Sequence, residues 1–173
     1  MADLSLLLAR AKAEDVAGRP DLPRGAVVLG CDSLLELDGE AHGRPVDAEQ
    51  ARRRWQRMRG RSAVLHTGHW VMAPGLAGPA VGAAGASAEY SAGAVGSATV
   101  HFADLDDGEI DAYVATGEPL RVAGAFTVDG LGGPFVSRIE GDPHTVVGLS
   151  LPLLRTLLAG LGIRWPQLWE DPR

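Results

Sequence analysis

Hydrophobic positions along the chain fall into short blocks whose period switches between that of helices and that of strands. Between Leu4 and Ala17 the apolar residues Leu6, Leu7, Ala11 and Val16 stand among polar ones, which predicts a helix without a strong cap at its start. After the breaker Pro20 to Pro23, Ala26-Val27-Val28-Leu29 is an unbroken apolar run, the pattern of a strand buried on both faces. It ends in Gly30-Cys31-Asp32-Ser33, and Leu34 to Leu37 continues extended until Asp38-Gly39. A second helix follows Gly43-Arg44-Pro45. Asp47 and Gln50 have capping-box spacing, Ala51, Trp55 and Met58 recur at i, i+4 and i+7, and Gly60 is placed to end it.

Ala63 to Met72 and Ala98 to Phe102 read as strands. Residues 73–97 between them are mostly Gly, Ala and Ser without periodicity, the composition of a long hairpin tip or a flap, and a tip is the preferred reading. Asp106 and Glu109 repeat the cap spacing ahead of Ile110, Tyr113 and Val114, and Gly117-Glu118-Pro119 stops that helix. Strands are then predicted at Val122 to Val128 and Phe135 to Ile139, separated by the glycine-rich turn Gly130 to Gly133. Ser150 is set to cap a last helix with Leu153, Leu154, Leu157, Leu158 and Leu161 on its inner side. Helices and strands interleave throughout, so the expected class is α/β, with residues 1–173 as one domain.

Composition narrows the function classes. The chain has 46% hydrophobic and 22% charged residues, which fits a globular protein with a core. No apolar run approaches the roughly 18 residues of a membrane span and the start lacks the order of a secretory signal, so a cytoplasmic location is expected. A net charge of -6 argues against a broad nucleic-acid surface, so any anion site must be local. Cys31 is the single cysteine, which excludes an intramolecular disulfide and a cysteine-based zinc site. Of 16 Lys and Arg residues only Lys12 is lysine, and asparagine is absent, a pattern that codon bias accounts for.

Among candidate chemical groups, Asp32 follows an apolar run and a glycine, where α/β sheets place ligand sites beyond a strand's carboxyl end. It could hold Mg²⁺ or act as a base there; a turn aspartate bonded to its own backbone fits the position as well. Arg44, on a turn stiffened by Pro45, suits a phosphate through its fork of donors, or is a solvated arginine. The arginines from Arg52 to Arg61 spread around three sides of a helix, against a nucleic-acid face. His66 and His69 are three apart and would fall on opposite faces of a strand, so they do not share a metal without a bulge. Gly130 to Gly133 is neither a dinucleotide-binding fingerprint nor a Walker loop, and turn chemistry accounts for it. Asp32 beside Cys31 discourages a thiolate there.

Taken in order, Leu8-Ala9-Arg10-Ala11-Lys12-Ala13, Gly30-Cys31-Asp32-Ser33, Gly43-Arg44-Pro45, Met58-Arg59-Gly60-Arg61, His66-Thr67-Gly68, Thr99-Val100-His101-Phe102, Gly117-Glu118-Pro119, Ala123-Gly124-Ala125-Phe126 and Gly141-Asp142-Pro143-His144-Thr145-Val146-Val147-Gly148-Leu149 resemble the Maf family of nucleoside triphosphate pyrophosphatases, also called septum formation inhibitors. The resemblance covers nearly the whole chain. It implies an elongated mixed sheet flanked by helices, as in inosine triphosphate pyrophosphatases, with a cleft for a nucleoside triphosphate and a divalent metal, Mg²⁺ or Mn²⁺. The implied reaction is attack of water at the α-phosphorus, releasing a nucleoside monophosphate and pyrophosphate. Asp32 matches the catalytic aspartate, also implied as the metal ligand, and Lys12 and Arg44 match basic residues that hold phosphates. A homodimer is left open; no nucleic-acid or membrane partner is expected.

Several positions depart from the family pattern. The family usually has Lys where this chain has Arg44, and Gln or Glu where it has Asp129. Members with Gln there tend toward pyrimidine triphosphates and members with an acid toward a methylated guanine nucleotide, so Asp129 is a candidate base or metal ligand that tilts the chain toward the second group, or a turn residue. The family's opening strand with a Ser-x-x-Arg phosphate clamp does not precede the Lys12 helix in this sequence. A chain without that strand is expected to be impaired in activity and solubility. The alternative is a noncatalytic Maf-like protein that binds nucleotides or regulates cell division.

Overall fold

The computed structural model describes residues 1–74 and 91–169. Helix α1 (Ala2–Ala17) is followed by strand β1 (Val28–Leu37), which turns at Asp38-Gly39 into the short β2 (Glu40–His42). Both turn residues have positive φ, 55° and 76°, the backbone of the tight hairpin turn that Asp-Gly favours. Helix α2 (Ala48–Met58) leads to β3 (Ser62–Met72), which pairs with β4 (Ser91–Phe102). Helix α3 (Asp107–Ala115), strand β5 (Val136–Glu140), the single-turn α4 (Pro143–Val147) and α5 (Leu151–Gly160) complete the order.

The strands form one sheet in the order β2-β1-β3-β4-β5, flanked by the helices. A mixed sheet was expected, but every described pairing is antiparallel, because β1 to β2 and β3 to β4 are hairpin partners and β1 lies antiparallel against β3 over nine residue pairs from Val28↔Met72 to Glu36↔Val64. Caps form as the sequence predicts. Asp47 accepts the Gln50 N–H at 2.7 Å, Asp106 and Glu109 make a reciprocal capping box, and Ser150 accepts the Leu153 N–H at 3.2 Å.

Trp55, Ala51 and Met58 bury the inner stripe of α2. The Trp55 ring meets Phe102, Tyr113 and Phe135 edge-to-face at 5.5–5.9 Å, and its indole N–H donates to the Ala125 carbonyl at 2.8 Å. On α5, Leu154, Leu157 and Leu158 close over Val71, with Leu153 and Leu161 packed at the margin.

The first helix forms as expected, on a face its sequence did not mark, and two strand expectations are corrected. The buried residues of α1 are Ser5, Ala9 and Ala13, while Leu7 is 62% exposed. That face is small because it lies directly on the sheet at two glycines: a Cβ on Gly30 would meet the Ala9 carbonyl oxygen at 2.2 Å, and one on Gly68 would meet that of Ser5 at 2.3 Å. The predicted strand Val122 to Val128 does not form: the 3₁₀ turn Glu118–Arg121 leads into a second one, Ala123–Ala125, and Phe126 to Val128 belong to no strand. Gly124 and Ala125 take φ of 73° and 68° there, which no strand permits, and the Gly124 N–H and Ala125 carbonyl bond to Gly43 and Trp55 rather than to a neighbouring strand. Within the low-complexity stretch, 91–97 belong to β4: small residues there admit the Trp70 ring over Gly93 and Thr145 over Gly96. The reading of residues 75–90 as a hairpin tip or flap falls outside the described residues.

Candidate active site

The close seat of α1 on the sheet sets Lys12 above β1. Its ammonium donates to the Cys31 carbonyl at 3.1 Å and forms an ion pair with the Asp32 carboxylate. Asp32 stands in the middle of β1, opposite Gly68 of β3, and not past the end of the strand as its sequence context suggested. The apolar run ends early only because α1 demands glycine at position 30; the extended backbone continues through it. The Asp32 side chain is 18% exposed and opens onto a cleft of about 560 Å³.

Arg44 lines the same cleft, so three of the residues singled out by the sequence, Lys12, Asp32 and Arg44, come together. The Arg44 loop is held from behind by the Gly43 carbonyl, which accepts from the guanidinium of the buried Arg54 at 2.6 Å and from the Gly124 N–H at 3.2 Å. Arg54 thus differs from the rest of the α2 arginines, which face solvent or pair with surface carboxylates such as Asp111 and Asp38.

Arg121 also lines the cleft and was missed by sequence reasoning. A basic residue between Gly117-Glu118-Pro119 and Ala123-Gly124-Ala125-Phe126 was the available signal. Neither the helix stop at Gly117-Glu118-Pro119 nor the strand predicted from Val122 covers it, and the turn at Glu118–Arg121 is what brings its side chain to the cleft.

Asp129 does not join the other three. It lies on the rim of a smaller adjoining cavity of about 140 Å³, whose walls include Leu65, Phe126, Thr127, Val146 and Val147. Ser33 and Ala123 line both spaces, so the charged cleft and the mainly apolar cavity share a wall. Ser33 is fixed by a 2.8 Å bond with the Thr67 hydroxyl, which itself donates to the Thr145 carbonyl at 2.8 Å and so ties α4, with Val146 and Val147, to the sheet.

The titration of neighbouring groups follows their surroundings. Burial pushes the Cys31 thiol up to about 11, with Lys12 opposing and Asp32 adding, so this cysteine is a poor nucleophile at neutral pH. His69 is buried on β3, and burial holds it below its ordinary value. Its Nε2 accepts the Ser150 N–H at 2.8 Å, which leaves the proton on Nδ1, donated to the Thr67 carbonyl at 2.9 Å. His66 instead bonds Ser97 and Glu36, so the two histidines do not converge. Among the described residues no group of three or more His, Cys, Asp or Glu is placed to hold a metal by itself. The donor chemistry at Asp32 still suits Mg²⁺, which is commonly held by one or two carboxylates together with substrate phosphates and water.

Residues 1–161 match the family described as Maf-like protein. The chain belongs to the Maf family. Relatives carrying the name nucleoside triphosphate pyrophosphatase include one from Salinispora tropica, 57% identical over 170 residues that cover 97% of this chain and 70% of the relative. One from Nocardia farcinica is 54% identical over 166 residues, covering 95% and 74%, and one from Streptomyces coelicolor is 51% identical over 170 residues, covering 97% and 75%. In this Maf-like chain no helix among the described residues is long and apolar enough to cross a membrane.

Proposed function

We propose that the protein is a nucleoside triphosphate pyrophosphatase that hydrolyses a nucleoside triphosphate to the monophosphate and pyrophosphate. The observation that carries this reading is the shared wall between two unlike spaces. A cleft lined by Lys12, Arg44 and Arg121 against Asp32 reverses locally the sign of a chain whose net charge is -6, and suits a triphosphate. The adjoining cavity is smaller, mainly apolar and rimmed by Asp129, and suits a base. The name shared by the relatives supports the same reaction.

Phosphoryl substitution depends on positioning and on neutralising charge. Lys12 and Arg44 hold phosphate oxygens in this reading, Arg44 bidentately, and Arg121 adds a third cation. Asp32 is the catalytic carboxylate. It orients and deprotonates the attacking water at the α-phosphorus or, with substrate phosphates, holds Mg²⁺ or Mn²⁺. A bound divalent cation supplies charge neutralisation at the phosphates and lowers the pKa of bound water. Lys12 keeps Asp32 in place before substrate arrives, and the same ammonium lies within reach of an incoming phosphate. Product analysis tests the reading: monophosphate plus pyrophosphate is expected, and diphosphate plus orthophosphate overturns it.

A further inference from the structure

The carboxylate of Glu118 gathers four donors. Its Oε1 accepts from the hydroxyls of Thr127 at 2.5 Å and Tyr113 at 2.8 Å and from the Gly132 N–H at 3.0 Å, and its Oε2 accepts from the Leu131 N–H at 2.9 Å. Burial raises the Glu118 carboxyl and these bonds more than offset it, holding the group down at about 2, so it is an anion throughout the neutral range. The anchored residues bracket Asp129 in sequence: Thr127 stands two before it, Leu131 and Gly132 follow two and three after. The loop that carries Asp129 is therefore wrapped on Glu118 from both ends. The clamp gives two of the turn glycines a further, specific reason. A Cβ on Gly130 would meet Glu118 Oε2 at 2.7 Å, and one on Gly132 would meet the Tyr113 hydroxyl oxygen at 2.3 Å.

The clamp has a second consequence, for the polarity of the cavity wall. A threonine hydroxyl has one proton, and at Thr127 that proton is committed to Glu118. Thr127 lines the cavity beside Asp129, so both side chains offer acceptors to a ligand there. We propose that Glu118 is a positioning residue for substrate choice: by anchoring the Thr127–Gly132 loop and orienting the Thr127 hydroxyl, it makes the base cavity select nucleobases that present donors, as guanine does with N1–H and N2–H₂. The inference rests on the reading of the smaller cavity as the base site.

The test compares kcat/KM for GTP and UTP in the wild type, Glu118→Gln, Thr127→Val and Asp106→Ala. Glutamine keeps the shape of Glu118 but presents an amide N–H₂ to one side of the clamp, which frees the Thr127 proton and loosens the loop. The GTP to UTP ratio is expected to fall at least fivefold in Glu118→Gln, carried mainly by KM, and to fall in the same direction in Thr127→Val. Asp106→Ala removes the α3 cap at a residue that does not line the cavity and controls for lost stability; its ratio is expected to match the wild type. If wild-type turnover is too slow to resolve, the ratio is read from dissociation constants of the two nucleotides by calorimetry. Ratios within twofold of the wild type in both Glu118→Gln and Thr127→Val overturn the proposal, and Thr127→Val decides alone if Glu118→Gln fails to fold. A wild type that neither hydrolyses nor binds any nucleoside triphosphate overturns the underlying reading. A wild type whose turnover depends on Asp32 while the ratios stay fixed overturns the role of Glu118 only.

Discussion

Replacing Gly30 by alanine perturbs the contact on which the site is built. The added Cβ would stand 2.2 Å from the Ala9 carbonyl oxygen and 2.9 Å from the Ala13 nitrogen, both backbone atoms of α1 that no rotamer change can move aside. Reaching even 3.0 Å, the closest approach Cβ atoms show, requires α1 to retreat by about 0.8 Å, the difference between 3.0 and 2.2 Å. The Lys12 bond to the Cys31 carbonyl, now 3.1 Å, then stretches to about 3.9 Å, beyond hydrogen-bonding range. Overpacking of this kind costs roughly 1–3 kcal/mol, and Tm should fall by about 2–4 °C for each of them. Misplacement of catalytic groups by about 1 Å costs up to about a hundredfold in rate. The loss in turnover should therefore exceed what the fall in stability explains when both are measured at a temperature where the variant is fully folded. Gly160→Ala, at the end of α5 with nothing within 4 Å of the new Cβ, is the control and should be neutral or stabilising by up to about 1 kcal/mol. Gly30→Ala with a wild-type Tm and turnover within twofold of wild type would falsify the account of how α1 places Lys12.

Arg121→Ala should raise KM for nucleoside triphosphates about tenfold with little change in kcat, since one charge-assisted phosphate contact is worth at least about 1.5 kcal/mol; an unchanged KM removes Arg121 from the site. Asp129→Gln should move base preference from guanine nucleotides toward pyrimidines in competition among GTP, 7-methyl-GTP, UTP and dTTP, and an unchanged order refutes the role of Asp129. His69 has a folded-state pKa below the ordinary 6.5, so its contribution is complete above pH 6.5 and declines as pH falls below it, because the unfolded chain then binds the extra proton. Urea unfolding should show the wild type losing stability from pH 6.5 downward by up to about 1.4 kcal/mol per pH unit more than His69→Phe does, and parallel curves refute the assignment.

Local signals with a physical mechanism were legible in the sequence. The caps at Asp47, Asp106 and Ser150 and the Ala51, Trp55, Met58 stripe each depend on residues within one or two helical turns, and each appears where its spacing puts it. What sequence could not reveal depended on contacts between distant segments. The inner face of α1 is small rather than leucine-rich because Gly30 and Gly68, far along the chain, admit the helix backbone. The segment around Gly124 alternates like a strand, yet its polar groups are claimed by Gly43 and Trp55. The juxtaposition of Lys12, Asp32 and Arg44 was implied by family resemblance and by no spacing, since three separate elements carry them. Arg121 was signalled only by its place between two family-like motifs and Glu118 only as part of a helix stop; the turn Glu118–Arg121 that places both falls between the predicted helix and the predicted strand.

The most direct measurement combines product identity with the carboxylate on which the mechanism depends. Wild type and Asp32→Asn are incubated with nucleoside triphosphates and Mg²⁺ in ¹⁸O-labelled water, and products are resolved by phosphorus NMR and mass spectrometry. Water attack at the α-phosphorus predicts ¹⁸O in the nucleoside monophosphate and none in pyrophosphate, with turnover in Asp32→Asn lower by at least about a hundredfold and its Tm near that of the wild type. Label in pyrophosphate or orthophosphate, or an Asp32→Asn rate within a few-fold of the wild type, would contradict it.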